Sequence, residues 1–203
     1  MLPDSELIRP YGPLVRRIEA EATVIGDQIL KIDHFLNHRI EPSFITEMGQ
    51  ELAKRLVRFE PSVVLTAEAS GIAPALIVAH TLNVPMIYAK KYSHQVEAPS
   101  LSRLIRSPTK GEDNRLVVST RYLRPGQRVV IVDDFLANGR TAAALIEMAR
   151  EAGAQVLGAG FVVEKHFKHG RRFIESLQVP VATLAQVEHL ENGRAILTQP
   201  RDA

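Results

Sequence analysis

Four consecutive branched residues, Val129-Val130-Ile131-Val132, run into two adjacent carboxylates, Asp133 and Asp134. Such a run is expected of a strand buried on both faces of a parallel sheet. The turn that follows contains Asn138 and Gly139, and Thr141 opens an Ala- and Leu-rich segment of helical character. Open α/β sheets bind ligands just beyond the carboxyl ends of their strands. There a turn and a helix N-terminus offer unpaired N–H groups and a positive dipole to an anion. An anion loop beside two carboxylates describes a phosphorylated sugar with hydroxyls, often with magnesium. A buried strand capped by a solvated Asp pair explains the same residues, and the stretch alone leaves both readings open.

The flanking sequence repeats the strand-then-helix rhythm. Residues 14–22 read as a short amphipathic helix, and 23–33 as a small hairpin outside the main sheet, with its turn at Gly26-Asp27. Apolar Phe44, Ile45, Met48, Leu52, Leu56 and Val57 recur with helical spacing from about Pro42 to Arg58. A second buried strand, Val63–Thr66, ends in the small-residue turn Glu68-Ala69-Ser70-Gly71. A helix over 72–82 and a strand over 86–89, ending in Lys90-Lys91, complete a βαβ unit. Further strands are expected at 116–120, 156–163 (ending in Glu164-Lys165) and 179–184. A helix is expected over 141–151, a helical turn over 173–177, and a hairpin at Asn192-Gly193. Residues 92–114 break the rhythm, being polar, aperiodic and interrupted by two prolines. They are read as a lid or binding loop, with an edge hairpin as the tamer alternative.

Several classes of function drop out. A chain of 203 residues suits one well-cored domain. A formal charge of +2 is too small to imply nucleic-acid binding by itself. With no cysteine there is no disulfide, thiolate metal site or Cys nucleophile. No apolar run approaches the roughly 20 residues of a membrane helix, and the N-terminus shows no signal-peptide pattern, so a cytoplasmic protein is expected. There is no P-loop and no G-x-S-x-G. Gly158 and Gly160 lie inside a strand, where close packing is the simpler reason for them. His34 and His38 have metal-pair spacing without a framing H-E-x-x-H, which favours a structural or solvated role. The basic run 165–172 suits a small anionic ligand or a solvated face.

The remaining signals converge. Glu68–Gly71, Lys90-Lys91, Asp133-Asp134 and Glu164-Lys165 all fall at strand ends, where a doubly wound sheet places its active site. The stretch Val130-Ile-Val-Asp-Asp-Phe-Leu-Ala-Asn-Gly-Arg-Thr141 resembles the phosphoribosyl-pyrophosphate (PRPP) motif of type I phosphoribosyltransferases. Phe135 and Asn138 depart from the general motif and resemble the form in bacterial xanthine phosphoribosyltransferases. So do Asp27–Asp33 with Phe35-Leu-Asn-His38, Glu68–Pro74 and Val163-Glu-Lys165. The similarity covers nearly the whole chain, with about nine N-terminal residues resembling an extension.

The resemblance implies an α/β fold with a doubly wound, mostly parallel central sheet. It implies one domain, with a hood from about 1–40 and 185–203, a PRPP-binding core at about 41–184 and a flexible loop at about 92–114. Ala137, Asn138, Gly139, Arg140 and Thr141 would hold the 5′-phosphate of PRPP. Asp133 and Asp134 would act on the ribose hydroxyls. Glu68, Ala69, Ser70 and Gly71 would face the pyrophosphate, with Mg2+ held by PRPP rather than by an assured protein ligand. Leu30, Asn37 and Lys165 would recognise xanthine. The family is dimeric, and Lys90 or Lys91 would reach a pyrophosphate, across the interface if the homodimer forms as implied. The implied activity is transfer of phosphoribose to xanthine in purine salvage. Another purine base, or a non-catalytic PRPP-sensing regulator, stands as the alternative.

Overall fold

The computed structural model describes residues 4–26, 28–92, 99–106 and 113–200. In chain order the elements are α1 (Asp4–Leu7), α2 (Gly12–Glu21), β1 (Thr23–Ile25), β2 (Ile29–Lys31), a π-helical turn (Asp33–Asn37), α3 (Pro42–Leu56), β3 (Val63–Ala67), α4 (Ile72–Leu82), β4 (Met86–Tyr92), β5 (Ser100–Arg106), β6 (Asp113–Ser119), β7 (Arg128–Leu136), α5 (Arg140–Glu151), β8 (Gln155–Lys165), α6 (Gly170–Ser176), β9 (Val181–Glu191) and β10 (Arg194–Leu197). Eight strands form one sheet in the order β10-β9-β8-β7-β3-β4-β6-β5, and β1-β2 form a separate hairpin. The five central strands are parallel, and both edges are antiparallel.

β7 lies at the middle of this sheet because its residues have something apolar to bury on each side. Val130 and Val132 enter the core shared with α2, α3 and α4, while Val129 and Ile131 enter the core shared with α5. All four are fully buried, as the branched run requires. Helices on both faces of a largely parallel sheet make the fold doubly wound. Gly158 and Gly160 of β8 have the packing role expected of them: side chains there would press on Phe59 and on Leu52 and Leu56. Among the described residues, no helix is long and apolar enough to cross a membrane.

The structure departs from the sequence reading in three places. Asp133 and Asp134 do not end their strand, because β7 continues to Leu136 through pairing of Phe135 and Leu136 with Val163 and Glu164. Lys90 and Lys91 likewise lie within β4, opposite Val117 and Leu116 of β6. The described part of 92–114 forms most of an edge hairpin rather than an irregular lid, with β5 paired to β6 from Ser100↔Ser119 to Arg106↔Asp113. Alternation in β5 is masked by its polar residues, among them Arg103, which bonds Glu147 (2.9 Å) and Glu151 (2.6 Å) of α5. Residues 93–98 and 107–112, and Asp27 of the hairpin turn, lie outside the described residues.

Ile131 is fully buried on the central strand. Ile131→Ala is expected to cost about 2–5 kcal/mol, because a cavity there cannot be refilled by neighbours fixed in the sheet. Urea unfolding should show a lower midpoint with an unchanged slope; a loss below about 1 kcal/mol would mean the strand is less constrained than its burial implies.

Candidate active site

The loop after β7 is shaped by backbone rather than by side chains. Gly139 adopts φ +73°, a conformation open to glycine at no steric cost, and precedes the first turn of α5. Its carbonyl accepts from Ala143 N–H at 2.8 Å, so the first N–H groups of α5 are left facing the loop. Asp133, Phe135, Leu136, Ala137, Asn138, Gly139, Arg140 and Thr141 line one pocket of about 170 Å³ there, with Ile105 and Phe161. A larger hollow of about 430 Å³, between the N-terminal segment and α3, holds none of the sequence-predicted site residues.

The two aspartates differ in surroundings although they are neighbours. Asp134 is buried and its Oδ2 accepts from Asn37 Nδ2 at 3.5 Å, which joins the β1-β2 region to the sheet. Asp133 is half-buried, and its Oδ1 accepts the Asp134 backbone N–H at 2.9 Å. Burial, reinforced by the negative charge of Asp134, pushes the Asp133 carboxyl well above the usual range, and the Lys91 ammonium opposes this. The Glu68–Gly71 turn comes up against the same carboxylate: a side chain on Gly71 would overlap Asp133 Oδ1. The turn contains a cis Glu68-Ala69 peptide. Glu68 itself is engaged, accepting from the Lys91 backbone N–H. Lys90 and Lys91 are exposed.

The residues expected at the base also converge. Lys165 lies 5.5 Å from the Phe135 ring centroid, and its Nζ donates to Gln28 O at 3.4 Å. Burial, followed by the nearby Lys168 ammonium, lowers its pKa. Leu30 is buried on β2, beside the π-helical turn that carries Asn37. Asn37 thus reaches Asp134 and Lys165 reaches Phe135, both on the C-terminal part of β7, while the pocket at the loop itself is lined by neither Asn37 nor Lys165. Among the described residues no three carboxylate or imidazole groups converge on a metal-sized site.

A model of the phosphoribosyl transferase domain matches residues 36–188, which span every element from the π-helical turn through most of β9. The chain belongs to the phosphoribosyl transferase family. It is 51% identical over 191 residues to a protein of Chloroflexus aurantiacus named xanthine phosphoribosyltransferase, covering 94% of this chain and 90% of that one. A protein of the same name from Deinococcus deserti is 44% identical over 92% of this chain and 97% of its own length. In three dimensions, an adenine phosphoribosyltransferase from Rhodothermus marinus superposes with a TM-score of 0.70 over 86% of this chain and 99% of the other. At 23% identity that likeness speaks for the fold alone.

Sequence reasoning missed the part of this phosphoribosyl transferase that braces the loop from behind. Glu164 is 1% exposed and receives Arg171 Nε at 3.0 and 3.1 Å and Nη2 at 2.5 Å. Arg171 also donates to Val181 O and Thr183 Oγ1. It belongs to the basic run 165–172, so one of those charges faces neither solvent nor ligand. The pair seats α6 so closely on the loop after β7 that a side chain on Gly170 would overlap the Ala137 carbonyl and lie 3.0 Å from Gly139 N. The glycine before two arginines was the available signal.

Two outcomes follow from this geometry. Gly170→Ala should push the loop away from α6 and cut kcat/KM for PRPP on the order of 100-fold, since displacements near 1 Å have that effect; unchanged PRPP kinetics would show that the loop tolerates movement. For Asp133, a carboxyl raised by folding binds its proton more tightly in the native state, so native stability falls as pH rises through that interval. Asp133→Asn removes the ionisation and should raise Tm at neutral pH, with no gain below about pH 4. A thermal-melt series in which the variant never exceeds the parent would contradict the direction of that shift.

Proposed function

We propose that the chain is a xanthine phosphoribosyltransferase, converting xanthine and PRPP to xanthosine 5′-monophosphate and pyrophosphate in purine salvage. The observation that bears most on the base is Lys165: a half-buried ammonium against Phe135, bonded to a backbone carbonyl and to no carboxylate among the described residues. Such a group suits a purine carbonyl or a purine anion, and xanthine is an acidic purine. The high identity to proteins named for xanthine points the same way.

In this reading the loop 137–141 binds the 5′-phosphate through backbone N–H groups and the Thr141 hydroxyl. Glu68, Ala69, Ser70 and Gly71 face the pyrophosphate, and Lys90 and Lys91 lie on the adjoining strand. The xanthine nitrogen bonds to ribose C1 as the C1–O bond to pyrophosphate breaks, and the electron pair leaves with pyrophosphate. Asp133 and Asp134 accept from the ribose hydroxyls and stabilise the positive charge growing on the ring. Ala137 offers no carboxylate to take the purine proton, so the base enters as its anion and Lys165 holds it, with Asn37 and Leu30 bordering it. Mg2+ would be held by PRPP, with no assured protein ligand, and would supply neutralisation of pyrophosphate charge. The reading includes a cytoplasmic homodimer with no nucleic-acid or membrane partner. Within one chain the Lys91 ammonium opposes the raised pKa of Asp133, and in the homodimer Lys90 or Lys91 would reach a pyrophosphate across the interface.

A PRPP-dependent assay across xanthine, guanine, hypoxanthine and adenine tests the substrate. Xanthine should give the highest kcat/KM; preference for another base would reassign it, and no pyrophosphate release with any purine would favour a PRPP-sensing regulator. Lys165→Ala should raise KM for xanthine by roughly 10- to 100-fold, as for a charged hydrogen bond, and leave KM for PRPP near the parent value. An equal rise for both substrates would remove Lys165 from base recognition.

A further inference from the structure

Thr66 is fully buried in β3, paired through its backbone with Tyr88 of β4, and its hydroxyl oxygen has no hydrogen-bond partner. A buried hydroxyl left unpaired costs roughly 1–3 kcal/mol and is uncommon. Valine would fill the same volume without that cost, so the hydroxyl calls for a partner in another state of the enzyme. One side-chain acceptor, Asp133 Oδ1, stands close by, beside the backbone carbonyl of Ala67. The position where a side chain on Gly71 would begin lies 2.5 Å from Thr66 Oγ1, would overlap Asp133 Oδ1, and is 3.1 Å from Ala67 O. The two oxygens therefore face each other across the space that glycine leaves empty.

We propose that Thr66 is a positioning residue for Asp133, its hydroxyl turning to donate to the carboxylate when Asp133 is charged against the ribose. The inference rests on the reading of Asp133 given above. A donor to the ionised form favours that form, which counters the burial and the Asp134 charge that hold Asp133 toward neutrality. The other charges around Asp133 among the described residues are Lys91 on β4, Glu68 in the turn, already held by the Lys91 N–H, and Arg140 at the start of α5. The Asp134 backbone N–H already donates to Asp133 Oδ1 at 2.9 Å, and the Thr66 hydroxyl would add a second neutral donor from the buried side. Gly71 is needed because any side chain would fill the gap between the two oxygens.

Thr66→Val, Thr66→Ser and Asp133→Asn would be compared by pH profiles of kcat and of kcat/KM for PRPP, alongside Tm. Thr66→Val should lower kcat about 3- to 10-fold near neutral pH and move the acid limb upward by roughly half to one unit, as expected for one hydrogen bond. Its Tm should not fall, since the orphaned hydroxyl is gone. Thr66→Ser should restore the limb. A purely structural threonine would change Tm and leave the limb in place. A Thr66→Val limb that coincides with the parent's, or a serine variant that behaves like valine, overturns the inference. Should Asp133→Asn retain parental turnover, the reading of Asp133 fails first; should it lose turnover while Thr66→Val is silent, the inference alone fails.

Discussion

The Glu164–Arg171 pair is the contact on which the geometry of the site depends. Taking both charges out of water is costly, and the cost is offset only because nearly every polar atom finds a partner. Glu164 accepts three Arg171 contacts and one from Thr183 Oγ1, and its Oε1 lies 3.3 Å from His166 Nδ1. Thr183 in turn receives Gln186 Nε2 through its hydroxyl and Arg55 Nη1, at 2.6 Å, through its carbonyl. Gln186 and Arg55 then donate to the carbonyls of Ile8 and Leu7. One buried network thus ties β8, α6, β9, α3 and the N-terminal segment together. Removing either ion would strand the other, so the network is satisfied as a whole or not at all.

That network also sets two functional distances at once. Glu164 immediately precedes Lys165, so fixing its carboxylate fixes the backbone from which the ammonium projects. Arg171 immediately follows Gly170, so fixing its guanidinium presses α6 onto the Ala137 carbonyl. The residue expected to hold the base and the loop expected to hold the phosphate are therefore referenced to the same ion pair. In the proposed reading, a ribose bridging them would meet a gap set by the protein interior.

How much of this was legible in the sequence depended on whether the signal was local. The β7 run, the α4 helix over 72–82 and the Asn192-Gly193 hairpin are written in contiguous residues, and all three form as expected. Of the strand-end cluster, the Glu68–Gly71 turn lies against Asp133, and Glu164-Lys165 closes β8 beside the end of β7. The β5-β6 hairpin was harder: its strands mix serine and arginine with aliphatic residues, its outward face carries Leu104, and two prolines suggest a loop. Glu164–Arg171 was illegible for another reason. A buried ion pair has the composition of a solvated surface, and only the partners, several elements apart, reveal the difference. Strand ends were misjudged by two or three residues because the polar pair Asp133-Asp134 interrupts the apolar run, whereas ladder pairing carries β7 through it to Phe135 and Leu136.

Ala137 brings these strands of reasoning to one residue. Its carbonyl is in close contact with α6 and its neighbours form the anion loop, so the backbone there is constrained from two sides. Its side chain is a single methyl and cannot exchange a proton. The loop can therefore be rigid without being chemically active toward the base. In the proposed reading the developing ribose cation would fall to Asp133 and Asp134, and the charge of the purine to Lys165, lowered in pKa by burial and by Lys168 but bonded to no carboxylate among the described residues. In the proposed reading, carboxylates for the sugar on β7 and an ammonium for the base on the adjacent β8, bonded to a backbone carbonyl instead of to those carboxylates, would let opposite charges develop together without the two sets of groups neutralising each other.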